Sequence, residues 1–196
     1  MRDEEQKLRV FCAVDLPDAL KARAVEHIAA LRERFPRVRV SWDRAEKFHI
    51  TLKFLGEVAA PRVEDLARAA GIAASRVEPF RLLLGGPGTF PPKGAPRVLW
   101  LGIGDPSGRL ASLQRSLEDE CAAERFPREA RPFHPHLTVG RVREQAGARA
   151  LGEAHRAAAF EAEEFEVTEL LVVRSELGPG GSRYTVLSRH RLEGQK

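Results

Sequence analysis

The chain contains only two cysteines, Cys12 and Cys121, among its 196 residues. Two cysteines cannot form the framework of bridges that holds small secreted domains together. Cys12 lies in an apolar run and is interpreted as a small buried hydrophobe, and Cys121 falls on a predicted helix. Neither cysteine has a neighbouring motif that would make it a nucleophile, so disulfide scaffolds and thiol chemistry are set aside.

Long apolar segments are also missing. No run approaches the roughly 20 apolar residues that a membrane-spanning helix needs. The first seven residues, Met1–Lys7, are mostly charged and lack the apolar centre of a secretory signal. We therefore expect a cytoplasmic protein that does not associate with membranes.

Lysine is scarce, since only six of the 32 basic residues are lysines and the rest are arginines. The formal net charge is +4, and a basic balance favours polyanionic partners such as nucleic acid. A genomic bias toward arginine codons produces the same composition, so charge alone is weak support for such a partner. The length, with 43% hydrophobic and 31% charged residues, indicates one globular domain over residues 1–196.

One short pattern occurs twice in this otherwise ordinary chain. The copies are His49-Ile50-Thr51-Leu52 and His136-Leu137-Thr138-Val139, and 136 − 49 gives a spacing of 87 residues. Each copy lies in an apolar run typical of a β-strand, where side chains two residues apart point to the same face. Each copy therefore presents an imidazole beside a hydroxyl.

A single copy would indicate little, because a lone histidine is more often a satisfied core residue than a catalyst. Two copies in matching apolar contexts need another explanation, since a buried polar group without a partner costs about 1–3 kcal/mol. Two imidazoles can act as proton acceptor and proton donor, and two hydroxyls can bind phosphate oxygens between them. The pattern predicts His49 and His136 as catalytic residues and Thr51 and Thr138 as phosphate-binding residues.

Simple alternation along the two motif strands predicts which neighbours share the motif face. On the first strand it places Lys53 beside the motif and Phe54 in the core. On the second strand, predicted over residues 133–142, it places Arg141 opposite His136, which makes a phosphate-binding role for Arg141 doubtful. His134 shares the face of His136 on this rule, and we interpret it as a flank of the motif.

Between the motifs, glycine and proline predict a loop over Gly85–Pro96. Near the end of the chain, two strands over Phe165–Leu177 and Ser182–Leu192 flank a hairpin turn at Gly178–Gly181. The remaining histidines fall in segments typical of surface helix or tail and receive no role: His27, His155 and His190.

The motifs and their surroundings resemble the 2H phosphoesterases, and specifically the RNA 2′,3′-cyclic phosphodiesterase (2′-5′ RNA ligase) branch. The resemblance covers nearly the whole chain and rests on these segments: Leu8–Pro17, Phe48–Gly56, Arg131–His136 and Gly181–Thr185. It implies an α+β fold of two lobes, with antiparallel sheets and pseudo-twofold symmetry around a central groove. The first lobe would carry motif 49–52 and the second would carry motif 136–139.

The resemblance also implies an activity, namely metal-independent hydrolysis of RNA 2′,3′-cyclic phosphate ends to 2′-phosphates. His49 would donate a proton and His136 would accept one, with Thr51 and Thr138 on the phosphate. No cofactor or metal is expected, the partner would be RNA or an oligonucleotide with a cyclic phosphate end, and the protein would be a monomer.

Three alternatives to cyclic phosphate hydrolysis stay open at this point. A metal site could use the imidazoles of His49, His134 and His136, although no acidic residue or cysteine stands at ligand spacing beside either motif. A non-catalytic RNA-binding module could use the same groove without turnover. A 2′-5′ RNA ligase would run the same chemistry in reverse, with a ribose hydroxyl in place of water.

Overall fold

The computed structural model describes residues 6–178 and 181–194, within which the chain forms nine β-strands and four α-helices. Part of the charged N-terminal segment and the centre of the predicted turn at Gly178–Gly181 lie outside the described residues. The strands are β1 (Lys7–Asp15), β2 (Val40–Trp42), β3 (His49–Ala59), β4 (Phe80–Phe90), β5 (Val98–Gly104), β6 (His136–Val142), β7 (Glu163–Val167), β8 (Glu169–Gly178) and β9 (Gly181–Arg191). The helices are α1 (Asp18–Arg34), α2 (Val63–Ser75), α3 (Arg109–Ala123) and α4 (Ala148–Ala157).

The strands form two antiparallel sheets, and each sheet contains one motif strand. The first sheet has the order β3-β1-β8-β9 and therefore joins strands from the beginning and the end of the chain. The second sheet has the order β2-β6-β5-β4-β7 and uses strands from the middle. The prediction of an α+β fold with antiparallel sheets is confirmed.

The helices bury their apolar faces against these sheets and each other. Helix α1 buries Leu20, Ala24, Ile28 and Leu31, whose spacing of three or four residues places them on one face. Helices α2 and α3 pack together, α2 also contacts β8 and β9, and α4 packs on β4. No helix in the described part of the chain is long and apolar enough to cross a membrane.

The first motif strand is interrupted directly after its threonine. Along the pairing of β3 with β1, Thr51 lies opposite Ala13 and Lys53 lies opposite Cys12. Leu52 is therefore an extra residue on β3, which makes the strand bulge at this point. A bulge reverses the alternation beyond it, so Lys53 and Phe54 change face. Leu55 is a second extra residue, between Phe54 opposite Phe11 and Gly56 opposite Val10, and it restores the original alternation.

The second motif strand has the same irregularity at the equivalent position. Along the pairing of β6 with β5, Thr138 lies opposite Trp100 and Gly140 lies opposite Leu99. Val139 is therefore the extra residue, again directly after the threonine of the motif. The two motif strands are thus alike in backbone geometry as well as in sequence, which fits the expected pseudo-twofold relation.

The predicted loop over Gly85–Pro96 is wrong in its first half. Strand β4 continues to Phe90 and pairs with β5 along this stretch. The pairing skips Gly86, which has φ of 65°, between Gly85 and Pro87. Glycine accepts this left-handed backbone and proline is tolerated at a bulge, so two residues that predicted a loop instead bend a strand.

The predicted strand over Phe165–Leu177 is two strands in the structure. Thr168 separates β7, which pairs with β4 in the second sheet, from β8, which pairs with β1 in the first. The predicted hairpin is confirmed, because β8 and β9 pair antiparallel with Gly178 opposite Gly181.

Candidate active site

The two motif strands lie on either side of a cleft of about 330 Å³. His49 and Thr51 line the cleft from β3, and His136 and Thr138 line it from β6. All four side chains are partly buried. The structure therefore brings together the four residues that the repeated pattern singled out, on two separate sheets, and their chemical roles remain predictions.

The imidazole of His49 is held by aromatic rings. It stacks on Phe11 with ring centroids 4.6 Å apart and contacts the edge of Tyr184 at 5.2 Å. Burial lowers the pKa of His49 to about 4, although its hydrogen bond to the Lys47 backbone opposes the shift. His49 is therefore neutral at pH 7 in the free protein.

The imidazole of His136 is oriented by a backbone group. Its Nδ1 lies 2.7 Å from the carbonyl oxygen of His134. Because a carbonyl only accepts hydrogen bonds, Nδ1 carries the proton and Nε2 of the neutral ring keeps a free lone pair. Burial is the main cause that lowers the pKa of His136 below its ordinary value. In both motifs the histidine is thus hydrogen-bonded to the backbone two residues before it.

The bulges overturn three predictions about the neighbours of the motifs. Lys53 does not share the motif face but is buried, with 4% of its surface exposed, where it forms an ion pair with Glu118. Phe54, predicted in the core, is 45% exposed and lines the cleft. Arg141, predicted on the opposite face, also lines the cleft because the extra residue Val139 reverses the alternation.

Positive charge is concentrated in the cleft. Arg9, Lys47 and Arg141 line it, and none of them belongs to an ion pair within the described residues. The Arg9 guanidinium lies over the Phe54 ring at 4.7 Å, so its plane is supported by an aromatic face. Three cations that form no ion pair in the described part of the chain make the cleft suitable for a phosphate group.

One carboxylate, Asp43, also lines the cleft, and sequence reasoning gave no sign of it. Burial raises the pKa of Asp43, opposed by the charges of Arg141, Lys47 and Arg143. Asp43 directly follows β2, and its backbone N–H donates to the carbonyl of Val139 at 3.0 Å. Arg9 and Lys47 were likewise missed, since single basic residues outside the motifs carry no signal in a chain this rich in arginine.

His134 lies beside the cleft and not in its lining. Its ring centroid is 6.2 Å from that of His136. Across residues 6–178 and 181–194, no group of three or more histidine, cysteine or acidic side chains is arranged to hold a metal ion. The three-imidazole arrangement of the metal alternative is therefore not found in this part of the chain.

The expectation that His155 lies on a surface helix is wrong. His155 has no exposed surface, and its Nε2 lies 3.1 Å from the carbonyls of Gly88 and Trp100. Its Nδ1 therefore accepts a hydrogen bond from Nε2 of His27 at 2.9 Å. Burial lowers the pKa of both rings, that of His27 to about 4. His190 is half-buried on β9.

Each of the two antiparallel sheets contributes a histidine and a threonine to one cationic cleft. This arrangement defines a class of α+β proteins with a two-histidine site. The sequence model of the 2′-5′ RNA ligase superfamily matches residues 16–179, and the chain belongs to this superfamily. The resemblance to the 2H phosphoesterases drawn from the motifs is confirmed.

Relatives named RNA 2′,3′-cyclic phosphodiesterase match most of the chain. One, from Methanothermobacter thermautotrophicus, is 33% identical over 192 residues, which cover 95% of this chain and 100% of the relative. Another, from Thermus thermophilus, is 36% identical over 196 residues, with coverage of 96% and 92%.

Solved structures show the same fold. A protein of Thermus thermophilus superposes with a TM-score of 0.75 at 30% identity, covering 96% of this chain and 100% of that one. Escherichia coli LigT in complex with 3′-AMP superposes with a TM-score of 0.71 at 32% identity, covering 95% of this chain and 99% of that one.

Proposed function

We propose that this protein hydrolyses 2′,3′-cyclic phosphate ends of RNA to 2′-phosphates, without a metal ion, by acid–base catalysis with two histidines. The observation that carries the proposal is the pairing of His49 with Thr51 and of His136 with Thr138 on facing strands of one cationic cleft. The names of the relatives described above support the substrate class.

The geometry suits an in-line attack on phosphorus. His136, with its Nδ1 proton tied to a carbonyl, presents Nε2 as the base that takes a proton from water. The water oxygen bonds to phosphorus while the bond from phosphorus to the 3′ oxygen breaks. His49 gives its proton to that leaving oxygen, so the product carries a 3′-hydroxyl and a 2′-phosphate. The assignment of donor and acceptor rests on the family resemblance.

His49 must gain a proton before it can donate one. In the free protein burial keeps this ring neutral at pH 7. A phosphate monoanion between the two rings favours the imidazolium form and raises the pKa of His49 in the complex. Substrate binding thereby favours the protonated form of His49, which is the form that can donate a proton to the leaving oxygen.

The hydroxyls and cations of the cleft would hold the phosphate. Thr51 and Thr138 can donate hydrogen bonds to the non-bridging oxygens, where negative charge develops. Arg141 follows the second motif on the cleft face and can donate two parallel hydrogen bonds to the same oxygens. Arg9 and Lys47 add positive charge to the cleft lining.

We further propose that the chain works as a single two-lobed domain, as a monomer in the cytoplasm, with an RNA end as its partner and no cofactor. Each lobe would correspond to one sheet with its motif strand. Strands of the two sheets alternate along the chain, since β3 of the first sheet lies between β2 and β4 of the second. This order supports the proposal that residues 1–196 form one domain.

The test is a hydrolysis assay on a nucleoside 2′,3′-cyclic phosphate after exhaustive treatment with EDTA. We expect full activity and a product that co-elutes with the authentic 2′-monophosphate. A 3′-phosphate product would be compatible with two-histidine catalysis. It would mean that the ribose binds in the opposite orientation, with the 2′ oxygen as the leaving group. Activity that disappears with EDTA and returns with zinc or manganese would contradict the metal-independent scheme.

A further inference from the structure

A second group of rings lies beside the cleft, next to His136. Phe90, Trp100 and His134, here termed the aromatic shelf, are mutually in contact, with ring centroids 5.3–5.4 Å apart. Phe90 lies 5.2 Å from the ring of His136, and Trp100 lies 6.3 Å from it. The aromatic shelf is therefore continuous with the cleft through one of its histidines.

Core packing does not account for the aromatic shelf. Phe90 and Trp100 belong to neither hydrophobic cluster of the described residues, and both keep part of their surface exposed. The ring of His134 is exposed. Aromatic residues in strands usually pack into a core, so three partly exposed rings in contact outside the core need a different explanation.

The backbone is arranged to make room for these rings. Trp100 lies opposite Thr138 in the pairing of β5 with β6, so its indole is on the motif face of the second sheet. Directly beneath the indole is Gly88 of β4, where any Cβ would collide with the ring. Phe90 follows two residues later on the same strand. Only a glycine at position 88 lets the indole lie across β4 in this way.

Positive charge follows the aromatic shelf at one end. Strand β4 ends at Phe90, and the loop after it carries Lys93 and Arg97, both exposed. Neither forms an ion pair within the described residues. Aromatic rings flanked by free cations are the arrangement with which proteins bind single-stranded nucleic acid, since bases stack on the rings and cations follow the backbone.

We propose that the aromatic shelf stacks the nucleobase that precedes the terminal nucleotide, so that the substrate is an oligonucleotide end of at least two nucleotides. The inference rests on the proposed function. A cleft of about 330 Å³ lies at the small end of ligand pockets and has room for the terminal nucleotide. The aromatic shelf lies outside the cleft lining, where the next base along the strand would fall.

The experiment compares kcat/KM for two substrates, a nucleoside 2′,3′-cyclic phosphate and a dinucleotide with the same terminal cyclic phosphate. Stacking of one base on aromatic side chains predicts that the dinucleotide is favoured by about 5- to 150-fold. A third substrate, the dinucleotide with an abasic 5′ residue, keeps the internal phosphate but has no base to stack. We expect it to lose most of the advantage.

The variants separate stacking from support of the catalytic residues. His134→Ala removes an exposed ring next to His136, so its readout is the ratio of kcat/KM for dinucleotide and mononucleotide. This ratio should fall at least fivefold, and His134→Phe should restore it. His190→Ala, on β9, is the matched control and should change neither substrate. Because Trp100 contacts His136, Trp100→Leu is judged only by the ratio of kcat/KM for dinucleotide to that for mononucleotide. This ratio should fall.

Each outcome decides the proposal. Equal kcat/KM for mononucleotide and dinucleotide in the unaltered protein would overturn it, as would a full advantage for the abasic dinucleotide, which would assign the gain to phosphate contacts alone. A proportional loss on both substrates in His134→Ala would reduce the ring to a structural role. Failure of the proposed function is distinct, since then neither substrate would be hydrolysed.

Discussion

Replacing Lys53 by methionine will leave the Glu118 carboxylate buried without its cation. In the structure Lys53 Nζ lies 2.8 Å from Glu118 Oε2 and also donates to the Pro127 carbonyl at 2.8 Å. The same Oε2 accepts a hydrogen bond from the backbone N–H of Glu129, while Oε1 has no partner within the described residues. The ion pair thus fastens the first motif strand to α3 and to the segment that leads to the second motif.

The size of the effect follows from burial. The side chains of Lys53 and Glu118 are only 3% and 9% exposed, so water screens their interaction little. Removing one partner of a buried ion pair costs about 3–5 kcal/mol, because the other charge stays desolvated. For a domain of this size that corresponds to a fall of about 6–20 °C in Tm.

Removing both charges should be less harmful than removing one. The double variant Lys53→Met/Glu118→Leu leaves no buried charge, and apolar replacements of buried ion pairs are often neutral. It still leaves the Pro127 carbonyl and the Glu129 N–H without partners, at about 1–3 kcal/mol each if they stay dry. We therefore expect the double variant to be more stable than Lys53→Met and less stable than the unaltered protein.

Urea unfolding followed by circular dichroism measures these differences in the free energy of unfolding. Arg39→Met is the control, because its ion pair with Glu144 is exposed and should contribute little. A loss below about 1 kcal/mol for Lys53→Met would refute the assignment of a desolvated pair. A double variant less stable than the single one would show that the attraction between the charges outweighs their desolvation.

Three further predictions concern turnover. His49→Asn and His136→Asn should each lower kcat by about 10²–10⁴-fold with unchanged Tm, and near-normal turnover in either would remove that histidine from the mechanism. Arg141→Met should weaken substrate affinity and reduce inhibition by inorganic phosphate. Unchanged phosphate inhibition would mean that Arg141 does not bind the phosphate group. Burial lowers the pKa of His49 to about 4 and also lowers that of His136. Since one ring must be protonated, kcat/KM, which reports the free protein, should have its optimum on the acid side of pH 6.5 and fall as the pH rises. The kcat optimum should lie at higher pH because bound phosphate raises both values, and coinciding optima above pH 7 would contradict this account.

The catalytic candidates could be predicted from sequence because two local facts suffice for them. His49 and Thr51 are two residues apart on a strand, as are His136 and Thr138, and that spacing alone sets each pair on one face. No knowledge of the partner strand is needed. The repetition of the pattern then linked two segments that are far apart in the chain.

The neighbours beyond each threonine could not be predicted in the same way. Lys53, Phe54 and Arg141 take the face opposite to the expected one because an extra residue precedes each of them. A β-bulge is a property of the pairing between two strands. It cannot be predicted from the alternation of residues along one strand alone. Strand β4 was missed for a related reason, since its glycines and proline are typical of loops when the pairing with β5 is unknown.

His155 illustrates a second limit of sequence reasoning. A polar residue on a short helix is usually exposed, and the burial of His155 depends on carbonyls of β4 and β5 that lie 67 and 55 residues away in the chain, respectively. Long-range acceptors of this kind leave no local pattern. The same holds for Asp43, whose place in the cleft depends on the pairing of an edge strand.

The order in which the strands appear has a consequence for synthesis of the protein on the ribosome. Strand β1 is translated well before β8, its second neighbour in the sheet, because six strands and four helices of the described chain lie between them. Tyr184, which contacts the ring of His49, comes from β9, later still. A nascent chain therefore carries an open sheet edge, a site prone to association with other chains, until β8 has been made. It also lacks a complete cleft until β9 has emerged, so protection of that edge and any action on RNA both depend on the hairpin of β8 and β9.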